Sequence, residues 1–209
     1  MFIELIDALR CPVPHNESWL VAAATRVDAR HIVEGTLGCP VCKAEYPIHA
    51  GVADFRRSGG APLPGPSAPD AELAMRVAAM LDLADSQGFA VLLGAWGSHA
   101  AELSGIVETP LMLVDPPEGI VGAPGISVLR CDREIPLAAG AARAVAIDAG
   151  DTVRVAGAVR VARTRGRILA PVSVALPDGV RELGRDASVW VGEREAMTSP
   201  LVTLHVRRG

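Results

Sequence analysis

Aromatic side chains make up only 3% of the 209 residues, so a buried core must be assembled from Ala, Val and Leu rather than from Phe or Trp. Lysine is scarcer still, with Lys43 the single example among 20 Lys and Arg, and the formal net charge is −4. An acidic chain poor in aromatics lacks the basic groove with interleaved rings that a nucleic-acid surface wants, so nucleic-acid binding is not supported. No stretch approaches the roughly 20 continuous apolar residues of a membrane span. The opening MFIELIDALR has neither the basic region nor the long apolar run of a secretory signal. No membrane association is expected, and the expected location is cytoplasmic. In a reducing compartment a Cys-x-x-Cys pair points to metal or redox chemistry more often than to a structural disulfide.

What is present begins with four potential zinc ligands inside the first 42 residues: Cys11 and His15 in CPVPH, then Cys39 and Cys42 in CPVC. Two short knuckles, each offering two soft or borderline donors from a tight turn, can wrap a tetrahedral Zn2+ ion. The metal then replaces the core that so short a segment cannot build. The CPVC half is the stronger signal; on the other side His15 has to reach the ion, and Glu17 or water could take its place. Redox chemistry fits less well, since no strand-then-helix pattern of the thioredoxin kind surrounds Cys39. The remaining Cys131 reads as a small buried hydrophobe.

Along the chain, residues 1–55 form a first unit: a short helical rhythm over 3–9, strands at 19–23 and 29–39, and an apolar strand turning at Gly51. Residues 56–69 are dominated by Gly, Pro and Ser and read as a linker. Residues 70–209 form a second unit. Asp70 is placed to cap a helix carrying Leu73, Val77, Met80, Leu81 and Ala84 on one stripe. Apolar strands are expected at 89–94, 110–115, 126–130, 142–148 and 165–176, alternating with helical stretches, among them 151–164 and a short one over 178–185. Strands at 188–195 and 200–208 would close the chain as an antiparallel hairpin. Apolar strands alternating with helices predict an α/β domain with a doubly wound, mostly parallel, seven-stranded Rossmann-like sheet covered on both faces.

Two family resemblances rest on these residues. LIDALRCP, LGCPVC and AEYPIHAGVADF resemble the small zinc-ribbon family that serves as activator subunit of tRNA, ribosomal RNA and protein methyltransferases. That family's first knuckle is Cys-Pro-x-Cys, whereas here Pro14 holds the second Cys position and His15 lies one place on. The layout of residues 70–209, with VRVARTRGRILAP before the fifth strand, resembles the class I methyltransferases that use S-adenosylmethionine (SAM).

The second resemblance implies a cofactor site. In that family the first strand ends in an acid followed by Gly-x-Gly-x-Gly, where bare backbone approaches the cofactor. LLGAWGSHA keeps Gly94 and Gly97 but has Leu92 in the acidic position and Trp96 where a further glycine is expected. Asp115, closing the second strand, stands where the family's carboxylate holds the ribose hydroxyls, and Asp132 where another meets the adenine amino group. Either could instead cap a turn at a strand end. Asp148 is expected to cap the following helix together with Asp151, and His99 to serve in packing or at the surface. Arg154, Arg160, Arg163, Arg165 and Arg167 are expected to form a solvated helix face.

Two functions compete. One is a non-catalytic or weakly active adaptor that binds another protein, built from a zinc ribbon and a degenerate methyltransferase-like domain. The other is a working SAM-dependent methyltransferase with its activator-like ribbon fused in place. A zinc-dependent RNA-binding module ranks third, and no acceptor substrate can be read from the chain.

Overall fold

The structure, a computed structural model, describes residues 1–57, 64–85, 87–148 and 152–196. Its strands are β1 (Val21–Asp28), β2 (His31–Gly38), β3 (Glu45–His49), β4 (Val52–Asp54), β5 (Ala90–Leu93), β6 (Leu111–Val114), β7 (Ile126–Arg130), β8 (Ala142–Ala146), β9 (Ala162–Pro171), β10 (Val180–Arg185) and β11 (Val189–Arg194). The α-helices are α1 (Ala71–Met80), α2 (Ala100–Ser104) and α3 (Thr152–Val161), with 3-10 turns at Ile3–Ala8 and Gly94–His99. The predicted seven-stranded sheet is replaced by one 11-stranded sheet in the order β1-β2-β3-β4-β7-β6-β5-β8-β9-β11-β10.

Periodicity accounts for the centre of this sheet. In β5, Ala90 and Leu92 join the cluster under α1 and α2, while Val91 and Leu93 join the opposite one. Successive side chains leave a strand on opposite faces, so a run apolar at every position is stable only when both faces are covered. Ala74, Val77, Leu81 and Leu103 cover one face. The other is covered by Ala158 and Val161 of α3 and also by Leu5 and Leu9. The N-terminal turn thus supplies cover where no helix lies between β6 and β7.

Residues 1–55 and the parallel strands share a backbone ladder. Val52 to Asp54 pair in parallel with Val128 to Arg130, and the Phe55 N–H donates to the Arg130 carbonyl at 2.7 Å. Further in, the Arg10 N–H donates to the Pro136 carbonyl (2.9 Å) and the Ala138 N–H to the Ala8 carbonyl (2.8 Å). The sheet therefore runs on from the first unit into the second without a break.

At the far end the hairpin differs from expectation. Residues 178–185 were predicted as helix, yet Val180–Arg185 is a strand paired antiparallel with β11, which in turn pairs antiparallel with β9. The predicted hairpin strand at 200–208 lies outside the described residues. The helix predicted over 151–164 ends at Val161, so Arg163, Arg165 and Arg167 stand on β9 and share no helix face with Arg160. Nor are the helix residues solvated: Arg160 donates to the carbonyls of Leu137 (2.7 Å) and Ile135 (3.0 Å). Among the described residues no helix is long and apolar enough to cross a membrane.

Candidate metal centre and the strand-end cleft

The second knuckle is built by backbone hydrogen bonds. The Lys43 N–H donates to the Cys39 carbonyl at 3.0 Å, and the Cys39 N–H to the Ala44 carbonyl at 2.9 Å. Lys43 closes this tight loop in the left-handed region, at φ 62°. Burial pushes the Cys39 thiol up, but the N–H groups of Cys42 and Val41 and the neighbouring thiols outweigh it and bring the sulfur down to about 6. A sulfur so placed is readily a thiolate, the form that binds metal. The first knuckle is pinned by the Cys11 N–H on the Ser18 carbonyl (3.1 Å) and by Arg10, whose guanidinium stacks 3.5 Å from the centre of the Trp19 ring.

These knuckles bring Cys11, His15, Cys39 and Cys42 together, their ligand atoms all within 4.8 Å of one another. Zinc bonds of about 2.3 Å to sulfur and 2.0 Å to nitrogen put neighbouring vertices of a tetrahedron about 3.5–3.8 Å apart. Cys11 Sγ lies 3.6 Å from Cys42 Sγ, and Cys39 Sγ 3.4 Å from His15 Nε2. The donor set and its spacing fit Zn2+. His15 Nδ1 faces the Asn16 carbonyl, which fixes the tautomer that leaves Nε2 a lone pair for the metal. The Tyr46 hydroxyl sits 3.4 Å from Cys11 Sγ, and burial raises its pKa further, so it stays a donor to that sulfur. Tyr46 was not singled out from the sequence; its place in AEYPIHA, opposite Leu37 on β2, is what delivers it.

The other candidate region is the crevice between β5 and β8. The chain winds from β5 through β6 to β7 on one side and continues through β8 to β9 on the other. Such a reversal opens a ligand crevice at the carboxyl ends of the strands. Here that crevice is filled from within. Gly94 follows β5 with φ 52°, and a Cβ built on it would lie 1.8 Å from Asp148 Oδ2. The same carboxylate oxygen accepts from the Ala95 N–H at 3.0 Å; the expected cap on the next helix, shared with Asp151, involves residues 149–151, which lie outside the described residues. Trp96 donates from Nε1 to the Ile147 carbonyl at 3.0 Å, bridging the β5 and β8 ends. Gly97 is pressed against the loop after β6, where an added Cβ would meet Pro116 Cβ at 2.6 Å.

Both acids of the implied cofactor site are engaged by the chain itself. Asp115 (φ 49°) accepts from the Cys131 N–H at 2.9 Å and pairs with Arg154 Nη2 at 2.7 Å. Cys131 is buried, as expected, and its thiol, pushed well up by burial, donates to the other Asp115 oxygen at 3.3 Å. Asp132 Oδ2 accepts from the Arg57 N–H at 3.2 Å. The ends of the predicted linker also rest on this side of the sheet: the Glu118 N–H donates to the Pro64 carbonyl (3.1 Å) and the Ser67 N–H to Ser98 Oγ (3.1 Å). His99 is buried beside Trp96 with ring centroids 6.3 Å apart, a packing role. SAM needs bare glycine backbone and an unengaged carboxylate in this crevice. Asp148 occupies the first and Arg154 the second, so the residues present do not fit it.

Gly94 tests the close packing directly. Gly94→Ala adds a methyl group into the Asp148 carboxylate at a left-handed φ, and is expected to cost more than about 1 kcal/mol. The urea midpoint should fall, and Asp148→Ala in the same chain should recover part of the loss by removing the steric component.

Fold and site together define a mixed α/β sheet protein with parallel central strands and a Cys-His group able to hold zinc. No family model and no curated protein matches the chain. Among solved structures it is similar to a putative sarcosine dimethylglycine methyltransferase from Galdieria sulphuraria, with TM-score 0.39 and 18% identity over 48% of this chain and 45% of that one. The chain thus spans less than half the length of that protein.

Proposed function

We propose that this chain is a zinc-ribbon adaptor whose methyltransferase-like domain has given up its cofactor and acts through protein contacts. Strands β1 to β4, which would form the ribbon, continue the sheet beyond the parallel strands β7-β6-β5-β8-β9, and this arrangement supports the reading. The observation that carries this reading is the Asp148 carboxylate lodged against Gly94 and bonded to Ala95, where a cofactor would need bare backbone. Arg154 on Asp115 supports it, because a guanidinium already satisfies the acid that would hold a ribose. A protein partner is favoured by the exposed Trp19, Val21 and Val41 around the two knuckles, apolar groups left uncovered beside an edge strand.

The alternative, an active methyltransferase of unknown acceptor, draws on one observation: Asp115 and Asp132 do stand at the ends of β6 and β7. Thermal melting with SAM separates the two. A ligand at 100 times its dissociation constant adds about 2.7 kcal/mol, which for a chain of this size raises the melting temperature by about 5–10 °C. The adaptor reading requires an unchanged melting temperature at millimolar SAM, and a saturable rise would remove it.

A further inference from the structure

The two edges of the sheet are built differently. At one end β10 carries Arg181, Glu182 and Arg185, with an ion pair between Arg185 and Glu182 (2.6 Å) and a register break between Glu182 and Gly184. Charges and bulges of this kind blunt an edge against further pairing. At the other end β1 pairs, among the described strands, only with β2, and its stretch Val21 to Ala24 holds no charge, no proline and no register break. We propose that this stretch takes an added strand from a partner protein, an extended segment that lays an arginine across the outer face of β1 and β2. The proposal rests on the reading of this chain as an adaptor that acts through protein contacts.

The outer face supplies the reason for the arginine. Val21 stands opposite Gly38 and Gly38 opposite Glu45, while Ala23 stands opposite Thr36. Leu37 and Tyr46 belong to the core, so these alternate positions face outward. Gly38 has no side chain, which leaves a shallow trough of about 440 Å³ between Val21 and Ala23 on one side and Glu45 on the other. Small apolar groups at its mouth suit the methylene stem of a long cationic side chain, and a carboxylate at its far end suits the charged head. Glu45 is exposed and has no ion pair among the described residues. Lys43, close by in sequence, donates to the Pro40 carbonyl at 2.8 Å.

Strand addition is the binding mode this surface fits. Main-chain groups of the edge give affinity, and a neighbouring pocket for an alternate side chain gives selectivity. The added strand would lie three spacings of about 4.8 Å from β3, about 14 Å in all, which an arginine and a glutamate meeting head to head can bridge. A second copy of β1 is the poorer occupant, because Val21 to Ala24 bring no cation across the edge for Glu45.

The test titrates the full-length, zinc-loaded protein with a nine-residue peptide of alternating Thr and Val carrying Arg at its centre, and follows the backbone amides by NMR. Saturable shifts at Val21 to Ala24 are expected, with those amides newly protected from exchange. Replacing the peptide's Arg by Glu should weaken binding about fivefold, the scale of one exposed ion pair, and Glu45→Arg should reverse that preference. Gly38→Val fills the trough, and a Cβ there meets nothing nearer than the Val21 carbonyl at 4.0 Å, so fold and zinc content are kept while the Arg peptide is lost. Binding indifferent to Glu45 and Gly38, shifts confined to other strands, or no binding at millimolar peptide would overturn the assignment. Protection of Val21 to Ala24 in a dimer without peptide would overturn it too, in favour of a second copy. The melting response to SAM reads the crevice and not this edge, so failure of the adaptor reading and failure of strand capture are separately visible.

Discussion

Replacing Arg154 by Met is expected to destabilise the protein by about 3 kcal/mol, the lower end of the cost of leaving one buried ion without its partner. The pair is well inside the fold, with side-chain exposures of 16% for Arg154 and 12% for Asp115. Asp115 would keep its two contacts to Cys131, but its charge would face a largely dry neighbourhood. The melting temperature should fall by about 10 °C, taking roughly 2–4 °C per kcal/mol for this size. The double variant Asp115→Asn/Arg154→Met should recover most of the loss, because the buried charge is then gone as well. Were the pair a surface feature instead, Arg154→Met would cost about 1 kcal/mol or less. This variant also asks whether Arg154 guards an old ligand site: if SAM binds to Arg154→Met but not to the parent, the guanidinium is the group that excludes it.

Chelation, or Cys39→Ser, is expected to have the other large effect. Structural zinc sites in isolated fingers contribute about 10–16 kcal/mol of apparent folding free energy, a ceiling here because the segment carrying the four ligands is also held by β4 on β7 and by Leu9 and Phe55 in the shared core. The protein should carry one zinc per chain, Cys39→Ser should lose it, and β1 to β3 should lose amide protection while β5 to β8 keep theirs. Metal analysis finding no zinc in protein prepared without chelator would contradict the assignment. His15→Ala retaining full occupancy would leave the ion and remove His15 as its fourth ligand.

The parallel strands were legible because Val91 to Leu93 and Leu111 to Val114 are apolar at every position, a pattern only a doubly covered strand tolerates. Strand β10 was not. Arg181, Glu182 and Leu183 are good helix formers, and the exposed positions carry no apolar stripe, so pairing with β11 decides its state. The join between β4 and β7 was invisible for a different reason. Three residues, Val52 to Asp54, are too short to carry a period, and the partner lies more than 70 residues on.

The metal group was readable because its ligands are fixed by short spacings within two turns. The filled crevice was only half readable. Trp96 and Leu92 announce that the glycine loop is altered, but what fills the space comes from afar. Asp148 reaches Ala95 across 53 residues and Arg154 reaches Asp115 across 39. No local pattern specifies where a long guanidinium or a strand-end carboxylate will settle once the sheet has formed.

The most direct measurement uses the Trp96 indole. The chain has three Trp, so their side-chain N–H signals are separable by NMR, and Trp96→Phe assigns the one bonded to Ile147. If Asp148 and Arg154 keep the crevice full, that signal stays in place as SAM is raised to millimolar concentration. A saturable movement of the Trp96 signal, with the Trp190 signal unmoved, would show the nucleoside entering beside it and would contradict the account.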